Sequence, residues 1–226
     1  MLKEYLNGIE MYCFQWNYID SNMYVLIENE RMLIIDPVIT EEVVCFFTKQ
    51  KVDEIWIVLT HEHFDHINGV NWLKEHFVCK VFANMVCAEA IQSESKNLSD
   101  KSDVILMFNS DIRNRNISIL PFRCSADIIF DNSSDFNWQN HFIELITTPG
   151  HTDGSICIVL DQMYIFTGDT LLDVPTITRL PSGSKKKFEQ ITLPILKNFK
   201  TIEKVYPGHG KFGKLDKMLL KYNQEI

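Results

Sequence analysis

The sequence predicts a mixed α/β fold in a single domain spanning residues 1–226. Two patterns predict it. Apolar, strand-like runs alternate with helix-like segments between residues 55 and 94, and short β-rich runs follow between residues 117 and 167. With 226 residues and 46% hydrophobic content, the chain can bury the core that one such domain needs.

The first elements are predicted as a β-hairpin followed by alternating helices and strands. Met23–Ile27 and Arg31–Ile35 are β-rich runs separated by a polar turn, and Asp36 follows the second run. Glu41–Gln50 has the apolar spacing of a short helix, and Ile55–Leu59 is an unbroken apolar run typical of a buried strand. A helix, a strand and a second helix are predicted next, at Val70–His76, Val78–Ala83 and Met85–Glu94.

The second half is predicted as a meander of short strands that ends in a helix and one more strand. Leu98–Asn116 is polar and irregular, which fits either a loop or a helix and leaves open whether it borders the substrate. Asn132–Asn140 is polar and rich in turn residues. The predicted strands are Ile117–Leu120, Asp127–Phe130, Phe142–Thr147, Ile156–Leu160, Met163–Thr167 and, after a helix at Lys187–Phe199, Lys204–Tyr206.

A short segment carries the pattern of a metal site. Thr60–Gly69 reads Thr-His-Glu-His-Phe-Asp-His-Ile-Asn-Gly, directly after the apolar run. Zinc and similar cations take imidazole nitrogen and carboxylate oxygen, and this segment offers more of them than one ion needs from one loop. A solvated surface loop would also explain histidines here, but three later turns carry further candidates, which favours the metal site. The candidate ligands are His61, His63, Asp65, His66, His151, Asp169 and His209.

The motifs together identify a resemblance to a known family. With Thr-His-x-His-x-Asp-His, Pro-Gly-His-Thr, Thr-Gly-Asp-Thr and a late Gly-His-Gly, the chain resembles the metallo-β-lactamase fold superfamily and, within it, the glyoxalase II-like hydrolases. The resemblance runs from Asp36 to His209. It implies a four-layer αββα sandwich of the metallo-β-lactamase type and a site for two divalent metal ions.

The resemblance also implies how the ligands are shared. The first ion is assigned to His61, His63 and His151, the second to Asp65, His66 and His209, and Asp169 is expected between the two. Zn²⁺ is the expected metal, with Fe and Mn as alternatives. Such ions lower the pKa of bound water from about 15.7 toward roughly 7, which makes a bridging hydroxide available as the nucleophile. Asp65 is the candidate catalytic residue, which would orient that hydroxide and pass the proton to the leaving group.

Four residues bear further on the site and its activity. Asp36 fits either a partner of a ligand histidine or a turn aspartate before Pro37. Asp169 stands where the best-known zinc β-lactamases carry Cys, so the resemblance shifts toward thioesterases, lactonases and phosphodiesterases. Arg179 fits either a contact with a substrate carboxylate or a solvated loop position. Glu62 alternates with the ligands and is expected to point away from them.

Composition restricts the partners. The net charge of −8 and the pI near 5.4 argue against binding of nucleic acid through phosphate neutralisation, so a small-molecule substrate is expected. No apolar run reaches the length of a membrane span, and the N-terminus lacks a signal core, so a cytoplasmic location is expected. The six cysteines are expected to be buried small hydrophobes. The oligomeric state is not predicted.

Four activities fit these observations. The leading hypothesis is a dinuclear metal-dependent hydrolase of a thioester or a related small acyl substrate. A lactonase would use the same residues. A phosphodiesterase is disfavoured by the acidic charge. An oxidoreductase, such as a mononuclear iron sulfur dioxygenase on this fold, would be distinguished by its metal and by oxygen consumption.

Overall fold

Two β-sheets form the centre of the molecule. The computed structural model describes residues 1–107 and 119–222. One sheet has seven strands in the order β1 to β7, and the other has five in the order β12-β11-β10-β9-β8. The first sheet contains β1 (Leu2–Leu6), β2 (Ile9–Trp16), β3 (Ser21–Glu28), β4 (Arg31–Ile35), β5 (Glu54–Val58), β6 (Cys79–Asn84) and β7 (Ile128–Phe130). The second contains β8 (Ser134–Trp138), β9 (His141–Thr147), β10 (Ile156–Leu160), β11 (Tyr164–Gly168) and β12 (Lys204–Pro207).

The pairing brings the carboxyl ends of several strands to one edge. Strands β1 to β4 pair antiparallel, and β4 to β7 pair parallel. In the second sheet β8 to β11 pair antiparallel, and β11 pairs parallel with β12. Loops that leave parallel strands at their carboxyl ends therefore gather on one side, where sites in α/β proteins commonly form.

Helices cover the outer face of each sheet. The described helices are α1 (Glu41–Phe47), α2 (Phe64–Ile67), α3 (Val70–His76), α4 (Met85–Ala90), α5 (Ser102–Leu106), α6 (Lys185–Lys187), α7 (Leu193–Asn198) and α8 (Leu215–Tyr222). A 3₁₀ turn at Ser99–Lys101 precedes α5, and a π-helical stretch at Phe188–Thr192 joins α6 to α7. Helix α1 begins at an N-cap, because the Thr40 side chain accepts a hydrogen bond from the amide of Val43.

Three apolar clusters separate the layers. Leu26 and Leu33 of the first sheet pack against Leu145 and Ile158 of the second in the central cluster. The opposite face of the first sheet packs on α1 to α4, and the outer face of the second packs on α7 and α8, where Val205 meets Met218. The order is helices, sheet, sheet, helices. The predicted αββα sandwich is confirmed.

Several predicted elements differ from the structure. The sequence does not predict strands β1 and β2 or helix α8, and β8 lies in Asn132–Asn140, where the composition predicts turns. The alternating exposure of β8 explains this difference, because an edge strand with one solvated face forms by pairing with its neighbour despite a polar sequence. Of the predicted strand Ile117–Leu120, the described residues Ile119 and Leu120 are not in a strand, and the first two lie outside the described residues. The predicted region Leu98–Asn116 contains the 3₁₀ turn and α5, and residues 108–116 lie outside the described part.

The cysteines follow the expectation in part. All six are free thiols, and Cys13, Cys87, Cys124 and Cys157 are buried. Cys45, in contrast, is exposed.

Candidate metal centre

All seven candidate ligands lie together at the edge where the carboxyl ends gather. The segment after β5 supplies His61 and His63, and the single turn of α2 that follows carries Asp65 and His66. The other three arrive one by one from the second sheet. These are His151 between β9 and β10, Asp169 after β11 and His209 after β12.

Three histidine nitrogens form the first cluster. Nε2 of His61 lies 3.1 Å from Nδ1 of His63, and Nε2 of His151 lies 3.0 Å from the same Nδ1 atom. All three side chains are buried. The cluster matches the ligand set expected for the first ion.

A second cluster combines two histidines and a carboxylate. Nε2 of His66 lies 3.1 Å from Nε2 of His209, and Oδ2 of Asp65 lies 3.3 Å from both nitrogens. Asp169 lies between the two clusters. Its Oδ1 is 3.5 Å from Nε2 of His66 and of His209, and its Oδ2 is 3.5 Å from Nε2 of His151.

The outer nitrogens of four ligand rings have oxygen partners. Nδ1 of His151 donates to the carbonyl of Ile177 at 2.8 Å, and Nδ1 of His209 donates to the carbonyl of Ile19 at 3.0 Å. Nδ1 of His66 lies 3.0 Å from Oδ2 of Asp36, and Nδ1 of His61 lies 3.0 Å from Oγ1 of Thr60. Because a carbonyl only accepts, His151 and His209 carry a proton on Nδ1 when neutral and turn a lone pair inward.

These atoms fit bound metal ions. Neutral imidazole nitrogens with lone pairs facing one another repel unless a cation lies among them. Ligand atoms about 2.0–2.1 Å from a tetrahedral zinc lie roughly 3.3 Å apart, which is close to the separations within both clusters. In addition, Oδ1 of Asp169 is buried without a hydrogen-bond partner among the described residues, and it is directed at the second cluster. The residues present therefore fit two divalent ions.

The electrostatics of the two clusters differ. Burial lowers the pKa of His63 to about 3 and lowers the pKa of His61 well below its ordinary value. Burial also acts to lower the pKa of His66, but the carboxylates of Asp65 and Asp169 outweigh it and raise this pKa well above the usual value. The pKa of His209 is raised in the same way. The first cluster is thus a set of neutral nitrogens, whereas the second has a strongly negative local potential.

The carboxylates of the second cluster are ionised. Burial alone would raise the pKa of Asp65, but the neighbouring His66 and His209 hold it well below the usual range. The pKa of Asp169 is also lowered, by His209, His66 and His151 against the effect of burial. Two ionised carboxylates at one buried position favour a divalent cation there.

Asp36 connects the end of β4 to Thr60–Gly69, which we call the metal segment. It has a left-handed backbone with φ of 52°, and its Oδ1 accepts a hydrogen bond of 2.7 Å from the amide of Thr60. Its Oδ2 accepts a hydrogen bond of 2.5 Å from the hydroxyl of Thr60 in addition to its contact with His66. Of the two interpretations of Asp36, the structure supports the partner of a ligand histidine.

Contacts from β3 hold the segment that carries His209. The hydroxyl of Tyr24 donates to the carbonyl of Pro207 at 2.6 Å, and the amide of Asn22 donates to the carbonyl of Gly208 at 2.6 Å. The hydroxyl of Ser21 donates to the carbonyl of Asp65 at 2.8 Å. Gly208 itself packs on the ligands, because a β-carbon there would overlap Oδ1 of Asp169. The first sheet therefore positions a candidate ligand that is carried by the second sheet.

Some residues near the site were not identified from the sequence. Glu62 is in neither ligand cluster, but its carboxylate is buried and bonded to Thr152 and Ser182. The carbonyls of Ile19 and Ile177 left no signal in the sequence, because any residue supplies a carbonyl. Arg179 is exposed, and its guanidinium makes no hydrogen bond or ion pair with the described residues.

None of the helices in residues 1–107 and 119–222 combines the length and the apolar character that crossing a bilayer requires.

Comparisons with known proteins identify the family of this chain. The sequence model of the metallo-beta-lactamase superfamily matches residues 17–209. A probable metallo-hydrolase of Methanocaldococcus jannaschii is 28% identical over 89% of this chain and 92% of its own length. A hydroxyacylglutathione hydrolase of Klebsiella pneumoniae is 29% identical over 74% of this chain and 51% of its own length.

The fold has a counterpart among solved structures. The B3 metallo-beta-lactamase BLEG-1 superposes with a TM-score of 0.73 at 22% identity, over 92% of this chain and 95% of that one. The two sheets, the family match and the cluster of histidine and aspartate ligands all agree. The chain therefore belongs to the metallo-beta-lactamase superfamily and is a metallo-hydrolase.

Proposed function

We propose that this protein is a dinuclear metal-dependent hydrolase of a thioester or a related small acyl substrate. One observation carries the proposal. Two clusters of donor atoms face each other, and Asp169 directs one carboxylate oxygen toward each of them. A carboxylate shared in this way is suited to two ions held close together.

The ligand chemistry supports zinc. Five imidazole nitrogens and two carboxylates, with no sulfur in either cluster, suit Zn²⁺, and Fe and Mn accept the same ligands. Bound ions would supply Lewis acidity, both toward water and toward the acyl oxygen of the substrate. Their number and identity are part of the proposal.

Asp65 is assigned to proton transfer. Its Oδ2 faces His66 and His209, which leaves Oδ1 to orient the attacking water and to take up its proton. As a carboxylate with one oxygen free, Asp65 would accept the proton of the attacking water and return it to the leaving group. His151, held by the carbonyl of Ile177, keeps a fixed orientation during this step.

Two observations support the proposed substrate class: the residue type at position 169 and the name of a related enzyme. Asp169 stands where the best-known zinc β-lactamases carry Cys, and the relative noted above is named a hydroxyacylglutathione hydrolase, after a substrate that contains a thioester. The chain spans only about half of that relative's length, so a dedicated surface for glutathione does not follow. A small acyl substrate is therefore proposed without a fixed thiol. The acidic net charge of −8 supports a small molecule over a nucleic acid.

The test is hydrolysis of a small glutathione thioester by zinc-loaded protein. We expect turnover that falls at least about 100-fold in Asp65→Ala, since general-base catalysis typically contributes 10²–10⁴-fold. Asp135→Ala, on the exposed edge strand β8, is the matched control and is expected to keep full activity. Absence of thioester turnover in fully metallated protein would contradict the proposal. Lactones, phosphodiesters and oxygen consumption by the iron-loaded form then distinguish the other activities.

A further inference from the structure

A loop after Asp169 passes beside the metal centre and is tied to it at both ends. We call residues 177–182 the arch. At its start the carbonyl of Ile177 accepts the 2.8 Å hydrogen bond from Nδ1 of His151. At its end the hydroxyl of Ser182 donates to Oε1 of Glu62 at 3.0 Å. Between these two points the side chain of Arg179 is exposed.

Glu62 is buried between the arch and the turn that carries His151. It stands between the ligands His61 and His63, and only 1% of its surface is exposed. Its Oε2 accepts a hydrogen bond of 2.8 Å from the hydroxyl of Thr152, the residue after His151. A β-carbon at Gly154 would lie 2.9 Å from that oxygen, so the turn packs tightly over the carboxylate.

Burial of the Glu62 carboxylate costs free energy and depends on particular hydrogen-bond donors. A carboxylate removed from water is unfavourable unless hydrogen bonds replace its hydration, and here two hydroxyls do so. One donor comes from the turn that carries His151, and the other comes from an exposed residue whose backbone is left-handed, with φ of 65° at Ser182. A left-handed backbone at a non-glycine residue is sparsely populated and persists where surrounding contacts fix it.

We propose that Glu62 is a positioning residue that fixes the arch against the metal centre, so that the arch forms a rigid wall for the substrate. Its role as a wall rests on the proposed hydrolase function, whereas the fixing of the arch does not. Glu62 connects the metal segment after β5, the His151 turn and the arch through one side chain. Without it, the arch keeps its attachment at Ile177 and loses the one at Ser182.

The first test is amide hydrogen exchange of zinc-loaded protein in the segment 177–184. Ser182→Ala and Glu62→Ala are expected to speed exchange there at least about fivefold while strand β5 stays protected. Thr178→Ala is the matched control, since that side chain makes no hydrogen bond with the described residues, and its exchange is expected to equal that of the wild type. Unchanged exchange in Ser182→Ala would overturn the proposal, and this exposed variant remains informative even if Glu62→Ala fails to fold.

The second test separates positioning from general stability. With a thioester substrate, Ser182→Ala is expected to raise KM severalfold, to keep kcat within about twofold and to retain the metal content of the wild type. Glu62→Gln, whose amide still accepts one hydrogen bond, is expected to restore most of the loss seen in Glu62→Ala. Loss of metal from Ser182→Ala, or a fall in kcat with unchanged KM, would contradict a positioning role. If the wild type hydrolyses no thioester, the exchange test still decides the fixing of the arch.

Discussion

Oδ2 of Asp36 lies 3.0 Å from Nδ1 of His66, on the side of the ring opposite the nitrogen that meets His209. Both side chains are almost completely buried. The ring of His66 is therefore held between a carboxylate on one side and the second cluster on the other. Such a carboxylate partner orients a ligand imidazole and raises its basicity.

Replacement of Asp36 is expected to weaken one metal position selectively. In Asp36→Ala, His66 loses its partner and the amide of Thr60 loses an acceptor, so we expect affinity at the Asp65, His66 and His209 cluster to fall about 10–100-fold. Competition with a chromogenic chelator measures this change. Asp135→Ala is the control with unchanged affinity. Equal affinity of Asp36→Ala and the wild type at both positions would contradict the assignment of Asp36.

Two histidine variants are expected to lose different ions. His151→Ala removes a donor from the first cluster, and His209→Ala removes one from the second, so each is expected to bind about one ion per chain instead of two. Metal analysis after gel filtration gives the number. His76→Ala is the matched control, since His76 stacks on Trp72 outside both clusters. Retention of two ions by either ligand variant would show that the cluster assignment is wrong.

A methyl group at Gly208 is expected to disrupt the second cluster. The added β-carbon would overlap Oδ1 of Asp169 and lie 2.9 Å from Cε1 of His66, so the backbone that carries His209 must shift. We expect Gly208→Ala to lower both metal content and hydrolysis more than tenfold, since a displaced ligand changes the geometry of the reacting groups. Gly210→Asn is the control, because open space surrounds Gly210 and Asn tolerates its φ of 75°. Normal metal content in Gly208→Ala would contradict this close packing.

The pair of Asp161 and His141 is expected to make the free energy of unfolding depend on pH in the acid range. Oδ2 of Asp161 lies 2.6 Å from Nδ1 of His141, and the carboxylate also accepts hydrogen bonds from Asn7 and from the amide of Phe142. Burial acts to raise the pKa of Asp161, but these hydrogen bonds outweigh it and lower the pKa below the usual value. Because the folded-state pKa lies below that of the unfolded chain, the stabilisation is present above about pH 4 and is lost as the pH falls through the folded-state value.

The measurement is urea unfolding of metal-free Asp161→Asn and wild type. At pH 7 we expect the variant to have a free energy of unfolding lower by about 1.5–3 kcal/mol, the range for hydrogen bonds to a charged group. Below about pH 4 the difference between the two proteins is expected to shrink, because the Asp161 carboxyl of the unfolded wild-type chain takes up a proton there, and it is lost once the pH falls below the lowered pKa of the folded state. A difference that stays constant with pH would refute this account.

The seven candidate ligands could be identified from the sequence, because their residue types and the turn motifs around them lie in short local segments. The partners of those ligands could not. His151 and His209 donate to the carbonyls of Ile177 and Ile19, and the backbone gives no sequence signal of its own. Glu62 was expected to point away from the ligands, and its two hydroxyl partners lie 90 and 120 residues along the chain, a distance that only the fold closes.

The fold, like the site, could be predicted only in part from the sequence. Strongly apolar runs such as Ile55–Leu59 indicated their strands, since burial on both faces leaves a continuous pattern. Strand β8 and helix α8 could not be predicted, because each has a polar face and therefore only a weak hydrophobic pattern in the sequence. Pairing or packing with neighbouring elements stabilises them. The oligomeric state and the cytoplasmic location stay predictions.

The order in which the ligands occur along the chain limits when the site can be completed. His66 and His209 touch but are 143 positions apart, and β12 carries the second of them. During synthesis the N-terminal part leaves the ribosome first, at about 5–20 residues per second. The segment with His61 and His66 is therefore synthesised about 7–30 s before His209. A metal ion captured at the second cluster before His209 is synthesised would therefore be held by an incomplete set of ligands.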